Sequence, residues 1–387
     1  MRRVFKITGA FLLSAILCMN TACSLFPDGN INDEVNDDNR DVAITEGESK
    51  HVEGTLVGDV TIDADVKIPS DTEWKQYKMI SRQISKEDAD EHVKRFADNR
   101  DYKEQDTSKY DPSIKRFYYE YDDGSVFVDG EDYVSYRTDE SMEMEYHRFV
   151  GYRRVDDAWT DKEEAFPQKS LSGCDLNAAI ENVKDICRKL DIEINEDEPD
   201  VYVMDAVSMN KLVKKINDKY GDKPGDEGAL KEWSEDDEVY YIIYEMALKG
   251  TNMEGASITT ESKFTYDHWV TAAVGRDGIK EFEAMYLYDI ESEQELEGDL
   301  CSVEEAMDVV AAQLQYLTGR SKYSISDIEL KYMGLLNDDL SDYYSRPYWV
   351  FTTSAKTVSY KDGEEVETVS SQKLCVDAVK KTFYIGR

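Results

Sequence analysis

Two stretches of this chain carry the same apolar stripe, and that stripe limits what the chain can fold into. Cys174-Asp-Leu-Asn-Ala-Ala-Ile aligns without a gap on Cys301-Ser-Val-Glu-Glu-Ala-Met. The match continues through Val183/Val310, Cys187/Leu314 and Leu190/Leu317, after Leu176/Val303, Ala179/Ala306 and Ile180/Met307 within it. The spacing i, i+3, i+4, i+7 marks one buried face of a helix. Asp175 and Ser302 stand at the N-cap positions, and Ser302 with Glu305 completes a capping box. A helix apolar on one side must cover an apolar surface. Strand-like runs follow each helix: Val201–Met204, Val239–Leu248 and Trp269–Val274 after the first, Ile325–Met333, Tyr348–Thr353 and Leu374–Val379 after the second. The first copy is longer by a helix near Ser208–Lys219 and a Gly/Pro-rich loop at Gly221–Gly228. The expected fold class is therefore α+β, with antiparallel sheets each covered by one or two helices and the C-terminal half an internal duplication.

The region before the first copy reads mostly as β. Val60, Ile62, Ala64, Val66 and Ile68 alternate with Thr61, Asp63, Asp65 and Lys67, which predicts a half-buried strand. Ser85 with Asp88 opens a helix carrying Ala89, Val93, Phe96 and Ala97. Asp122-Asp123-Gly124 between Arg116–Tyr121 and Ser125–Val128 signals a hairpin. Further strands are expected at Tyr133–Arg137 and Glu143–Tyr152. The expected division is a signal peptide over 1–22, a disordered acidic tether over 23–50, a β-rich domain over 51–165, and α+β units over 166–295 and 296–387.

The N-terminus carries an address. Arg2, Arg3 and Lys6 precede an apolar run from Ile7 to Leu17, too short to span a bilayer and shaped like a secretory signal. Asn20-Thr21-Ala22-Cys23 closes it. Small residues directly before a Cys resemble the lipobox of bacterial lipoproteins, although Asn20 stands where Leu is commoner. The resemblance implies cleavage before Cys23, lipid attachment to its sulfur, and a mature chain that starts there. Cys18 competes poorly, because Leu17 before it is large. Asp28–Lys50 is rich in Asp, Asn, Glu and Gly, a composition that cannot bury enough surface to fold. Two acyl chains anchor where one would not. The partner this implies is the lipid bilayer, and the location is the extracytoplasmic face of the cell membrane.

The 83 acidic and 46 basic residues give a net charge of −37, which repels phosphates and argues against a nucleic-acid partner. Other chemistry is sparse. The cysteines after Cys23 are Cys174, Cys187, Cys301 and Cys375, with no C-x-x-C, so zinc-ribbon and thioredoxin readings fail. Cys174 and Cys301 each precede a helix start, where the dipole would lower a thiol pKa; the alternative is two boundary residues. His51, His92, His147 and His268 form no helical ligand pair. Asp28–Asp33 begins like a calcium loop but has Asp33 where Gly is required and Asn39 where Glu is required. No metal and no cofactor is expected. Ser208-Met-Asn-Lys211 with Lys356-Thr357 imitates the S-x-x-K and K-T-G of penicillin-binding proteins, but Val358 replaces the Gly. Tyr348, Trp349, Tyr240, Tyr241 and Tyr244 are candidate sugar platforms, though aromatic strands are ordinary core.

The final unit runs helix, strand, the aromatic strand PYWVF, then a strand ending in Val376-Asp377-Ala378. It resembles PepSY-type modules and the halves of the YycH/YycI regulators of Firmicutes. The whole chain, acidic and Tyr-rich, resembles uncharacterised lipoproteins of clostridial gut bacteria. That resemblance implies a non-catalytic binding or regulatory role at the cell surface, toward another surface protein or cell-wall glycan. The alternatives are a solute- or glycan-binding lipoprotein and a cell-surface hydrolase whose carboxylates are hidden among the 83 acids.

Overall fold

The structure, a computed structural model, describes residues 41–386 except 46–49, 71, 98–99, 106–114, 132, 145, 152–153, 156–157, 160–161, 197–198, 221–229, 255–267, 316–320, 337–342 and 362–363. Asp41–Thr45 (β1), Lys50–Val57 (β2) and Val60–Lys67 (β3) pair antiparallel, and Lys75–Ser81 (β4) follows. In β3 Val60, Ile62, Ala64 and Val66 are buried while Thr61, Asp63, Asp65 and Lys67 are exposed, as the alternation predicts. The tether expected to reach residue 50 ends sooner, because β1 pairs with β2 and Val42 packs on the core. Gly54, at φ +134°, lets the two strands approach; any side chain there would strike the carbonyl of Asp41.

The chain then builds a second sheet. Lys86–Ala97 (α1) leads to Tyr102–Glu104 (β5), Arg116–Tyr121 (β6), Val126–Gly130 (β7) and Tyr133–Arg137 (β8). Asp139–Met144 (α2) and Tyr146–Gly151 (α3) follow, then the small ribbon Arg154–Val155 (β9) with Ala158–Trp159 (β10), and Lys162–Ala165 (α4). The described residues within the strand expected at Glu143–Tyr152 are thus helical. Tyr146, Phe149 and Val150 have i, i+3, i+4 spacing, and both rings meet Trp233 edge-on. Leu176–Lys189 (α5), Asp200–Met204 (β11), Ala206–Tyr220 (α6) and Val239–Glu245 (β12) come next. After the ribbon Ala247–Leu248 (β13) with Thr251–Asn252 (β14), the sheet is completed by Trp269–Gly275 (β15) and Gly278–Met285 (β16). Its eight strands run β11-β12-β15-β16-β8-β7-β6-β5, antiparallel throughout. Val93, Phe96, Val183 and Ile186 of α1 and α5 cover one face, over Phe127, Tyr136, Tyr240 and Phe282. Met209, Leu212 and Ile216 of α6, with Tyr146 and Phe149, cover the other, over Tyr202 and Tyr241.

Tyr288–Glu295 (β17) returns the chain to the first sheet by pairing with β4. Val303–Leu314 (α7) precedes Ser321–Leu336 (β18), Tyr343–Lys361 (β19), Glu364–Asp377 (β20) and Phe383–Gly386 (β21). The order β1-β2-β3-β18-β19-β20-β21, with β4 on the start of β19 and β17 on β4, makes nine strands; β3 and β18 are parallel and the other pairs antiparallel. The sheets cross the boundaries expected at residues 165 and 295. β1–β4 join β18–β21, and the stretch from α1 to β16 is an excursion between β4 and β17. The physical reason is β3, whose apolar face has no local cover and lies in one core with Met307 and Val310 of α7. The α+β class is as expected.

The two matched helices behave as their stripes require. Val303, Ala306, Met307 and Val310 are buried, as are Ala179 and Val183, while Leu176 and Ile180 pack half-buried on the same core. Asp175 Oδ1 accepts from Ala178 N at 2.8 Å, and Ser302 and Glu305 form the reciprocal box. Helices α1, α5 and α7 each precede four antiparallel strands paired in chain order. In all three, the carbonyl just before the N-cap accepts a side-chain donor from the second of those strands or the residue leading into it. Lys115 Nζ donates to Ile84 O, Tyr240 Oη to Cys174 O (3.1 Å) and Trp349 Nε1 to Cys301 O (3.0 Å).

Candidate functional site

Cys23, the expected lipid attachment site, and Asp28–Asp33 lie outside the described residues. Cys174 and Cys301 do not meet: each sits in the core of a different sheet. The lowered thiol pKa expected at their helix starts is reversed. Burial pushes Cys301 up to about 11 and Cys187 up to about 12, and raises Cys174 and Cys375. All four thiols are free. Tyr240, Tyr241, Tyr244, Tyr348 and Trp349 are buried, so none offers a ring face to a sugar. Ser208 and Lys211 lie on α6, against the second sheet, whereas Lys356 and Thr357 lie on β19 of the first. Lys356 pairs with Glu367 across its hairpin.

Buried charge collects where the two sheets meet. Lys331 on β18 is 3% exposed. Its ammonium donates to both carboxylate oxygens of Glu245 at 3.1 and 2.8 Å, and lies 3.2 Å from Glu254 and from Glu329. Lys373 stands 3.9 Å from Glu254, and Asn252 Nδ2 donates to Glu329 at 2.8 Å. Burial alone would lower the Lys331 ammonium, but Glu254, Glu245 and Glu329 hold it well above its usual value; burial pushes the Glu245 carboxyl up. These groups answer one another, so the arrangement ties β12 and β14 onto β18. A second buried tie is His268, hydrogen-bonded through Nε2 to the Tyr343 hydroxyl. Burial lowers its imidazole to about 4. His92 is a further buried tie: Nδ1 is 2.8 Å from Asp129 and Nε2 3.6 Å from Asp191, so both nitrogens face carboxylates.

A different arrangement stands at one end of the second sheet, where four segments converge. They are the loop before α5, the start of α6, the 3-10 turn Glu235–Asp237 and the turn joining β15 to β16. They enclose a cleft of about 230 Å³. Local chemistry fixes each wall. Asp205 caps α6, its Oδ1 accepting from Ser208 N at 3.0 Å. Glu238 Oε1 accepts from Ala206 N at 3.1 Å. Ser234 and Asp237 close a capping box around the 3-10 turn. Arg276 projects from the β15–β16 turn, which Gly278 completes at φ +108°. Its Nε donates to Ser172 O at 3.0 Å and its Nη2 lies 3.3 Å from Glu238 and 3.6 Å from Glu235.

The cleft is polar, with Gln168, Ser170 and Ser172 along its rim. Asp205, Glu235 and Glu238 oppose one guanidinium, so its formal charge is −2. Asp205 is 8% exposed, and its Oδ2 has no hydrogen-bond partner. An unpaired buried polar group of this kind costs about 1–3 kcal/mol, more when charged. Sequence reasoning missed this site. It placed a helix near Ser208–Lys219 without the Asp205 cap and did not read the Arg276-Asp277-Gly278 turn, and nothing local brings the two together.

No protein-family model matches this chain, and no curated protein matches it. Among solved structures it is similar to an uncharacterized protein from Eubacterium rectale ATCC 33656. The two are 15% identical with a TM-score of 0.60, over 86% of this chain and 93% of that one. At that identity the likeness speaks for the α+β fold alone.

Proposed function

We propose that this chain is an extracytoplasmic lipoprotein, held on the cell membrane by acylated Cys23, whose folded part binds or regulates a partner without catalysis. The observation that carries the binding reading is the four-segment cleft. Its charged groups are arranged against one another, and none of the four histidines stands in its lining to activate a serine. The anchoring reading rests on the apolar segment closed by Asn20-Thr21-Ala22-Cys23. Growth with a clickable palmitate should label the wild-type protein and leave Cys23→Ala unlabelled and outside the membrane fraction. Equal labelling of the variant would end the lipoprotein reading.

The same proposal takes the helix–meander units as copies of one ancestral module, which keeps the comparison with PepSY and YycH/YycI regulators in play. What supports it is the shared opening: a capped helix whose preceding carbonyl accepts a donor from the second-strand side.

A further inference from the structure

We infer that an extended, uncharged β-1,4-linked oligosaccharide binds across the row Trp269, Met285 and Tyr133 of the second sheet. This names a partner class for the non-catalytic binding reading above and rests on that reading, but not on the cleft. The row lies at the other end of β15 and β16 from the Arg276 turn. The helices on this face stop short of it. Tyr241 and Ala273 lie in the core shared with α6, in register with Glu281 and Arg137. Residues four positions further along each strand share that face. There Glu245 pairs with Trp269, Trp269 stands opposite Met285 one step beyond the Val270–Ala284 pair, and Met285 pairs with Tyr133. The Glu245 end of the row is held by Lys331, so the row starts where the two sheets meet. Met285 is 37% exposed, and Trp269 and Tyr133 are half-buried. Large apolar side chains left accessible side by side mark an interaction surface.

Three features decide what fits. The two rings stand two strands apart, roughly 9.5 Å, close to the length of two sugars in an extended β-1,4 chain, and Met285 is the floor between them. The adjoining row on the same face holds Thr271 paired with Glu283. A wholly apolar ligand would leave those polar groups unpaired. Charge along the strip is balanced: Arg116 and Arg137 stand against Glu281 and Glu283. Arg116 reaches the Tyr133 ring from the side away from Met285, 4.5 Å from its centroid, and so steadies the ring. In a chain of net charge −37, a balanced strip favours neither a cation nor an anion. A β-1,4 chain meets all three conditions. Its pyranose faces present C–H groups to the rings, its equatorial hydroxyls lie along the edge, and it carries no charge.

The test is calorimetry on the full chain in mild detergent, with cellotetraose and chitotetraose as probes. Maltotetraose, whose α-1,4 chain coils, is the contrast. One or both β-linked sugars should bind, and maltotetraose should not. Met285→Glu puts a charge between the rings at an exposed position that the fold tolerates. It should weaken binding about tenfold, as should Trp269→Ala, whereas Trp269→Phe keeps a ring and should retain most of the affinity. Asp63→Asn, on an exposed strand face of the other sheet, should leave binding unchanged. As a second readout, the sugar should shift the tryptophan fluorescence of the wild type and not that of Trp269→Phe. The inference is overturned if neither β-linked sugar binds, if maltotetraose binds as well, or if Met285→Glu and wild type bind alike. A proline-rich peptide that binds the row more tightly than the sugars would also overturn it. Lipid labelling of Cys23 is independent of these results, so failure here leaves the anchoring proposal and the cleft standing.

Discussion

The two sheets solve the same problem in different ways. The second is covered by helices on both faces, α1 and α5 on one, α6 with the short helices on the other. Among the described residues the first carries one helix, α7, and its opposite face is covered only in part, where Lys331, Tyr348 and Cys375 are buried. Their strands differ accordingly. β12, Val-Tyr-Tyr-Ile-Ile-Tyr-Glu, is apolar almost without interruption and puts Tyr240 in one core and Tyr241 in the other. β3 alternates and leaves Asp63 and Asp65 in water. The doubly covered sheet also has the more complex loops, and its end holds the cleft.

The largest expected effect lies where the sheets join. Lys331→Met removes the cation among Glu245, Glu254 and Glu329 and should cost about 3–5 kcal/mol, because like charges are left buried. Urea denaturation measures it. A loss under 1 kcal/mol would mean that the junction is not the tie described, and that the two sheets are held together elsewhere.

The junction also responds to pH. His268, just before β15, binds Tyr343 of β19 while uncharged, with its pKa lowered to about 4 from 6.5. Below pH 6.5 the unfolded chain takes up a proton that the folded chain refuses until about pH 4. Stability is therefore complete above pH 6.5 and falls as pH drops toward 4, by about 3 kcal/mol over the window. The difference between wild type and His268→Asn, followed from pH 7 to 5, isolates this group from the carboxylates that titrate lower. If that difference does not change with pH, His268 is not buried uncharged.

Much of this comparison could be read in the residues. The alternation of β3 announces one wet face, whereas Val239–Leu248 was read only as a strand, and its burial on both faces came from the structure. The stripes of α5 and α7 named Ala179, Val183, Cys187, Leu190, Val303, Ala306, Met307, Val310 and Leu314, all buried, while Leu176 and Ile180 are half-buried and Leu317 lies outside the described residues. Illegible were the parallel pairing of β3 with the distant β18, the burial of Lys331, and the cleft. Each depends on segments far apart in the chain, and a lysine's burial is decided by partners that no local spacing specifies. Glu143–Tyr152 was misread although Tyr146, Phe149 and Val150 already carry helical spacing; Trp233, which meets both rings, lies far along the chain.

The helix starts offer a smaller test of whether α5 and α7 are alike. Asp175→Ala and Ser302→Ala each remove one cap and should each cost about 1 kcal/mol in urea denaturation. Equal costs would fit a shared design for the two units. A cost confined to one would show that the other helix is held by its packing, whatever its first turn does.

The smallest effect is expected on the open face of the first sheet. Asp63 is 85% exposed on β3, and the ion pair within reach is His51 at 3.4 Å, on the neighbouring strand. Exposed pairs of this kind contribute about 0–1 kcal/mol, and substitutions at such surface positions usually stay within about 0.5 kcal/mol. Asp63→Asn should therefore leave the urea midpoint nearly unchanged, whereas the buried strand positions of the second sheet admit no polar substitution so cheaply. The measurement is made at two protein concentrations. A loss above 1 kcal/mol that grows on concentration would mean that the face is covered in solution by a second copy of this chain. The contrast between a doubly covered and an open sheet would then hold for the single chain and fail for the protein as it works.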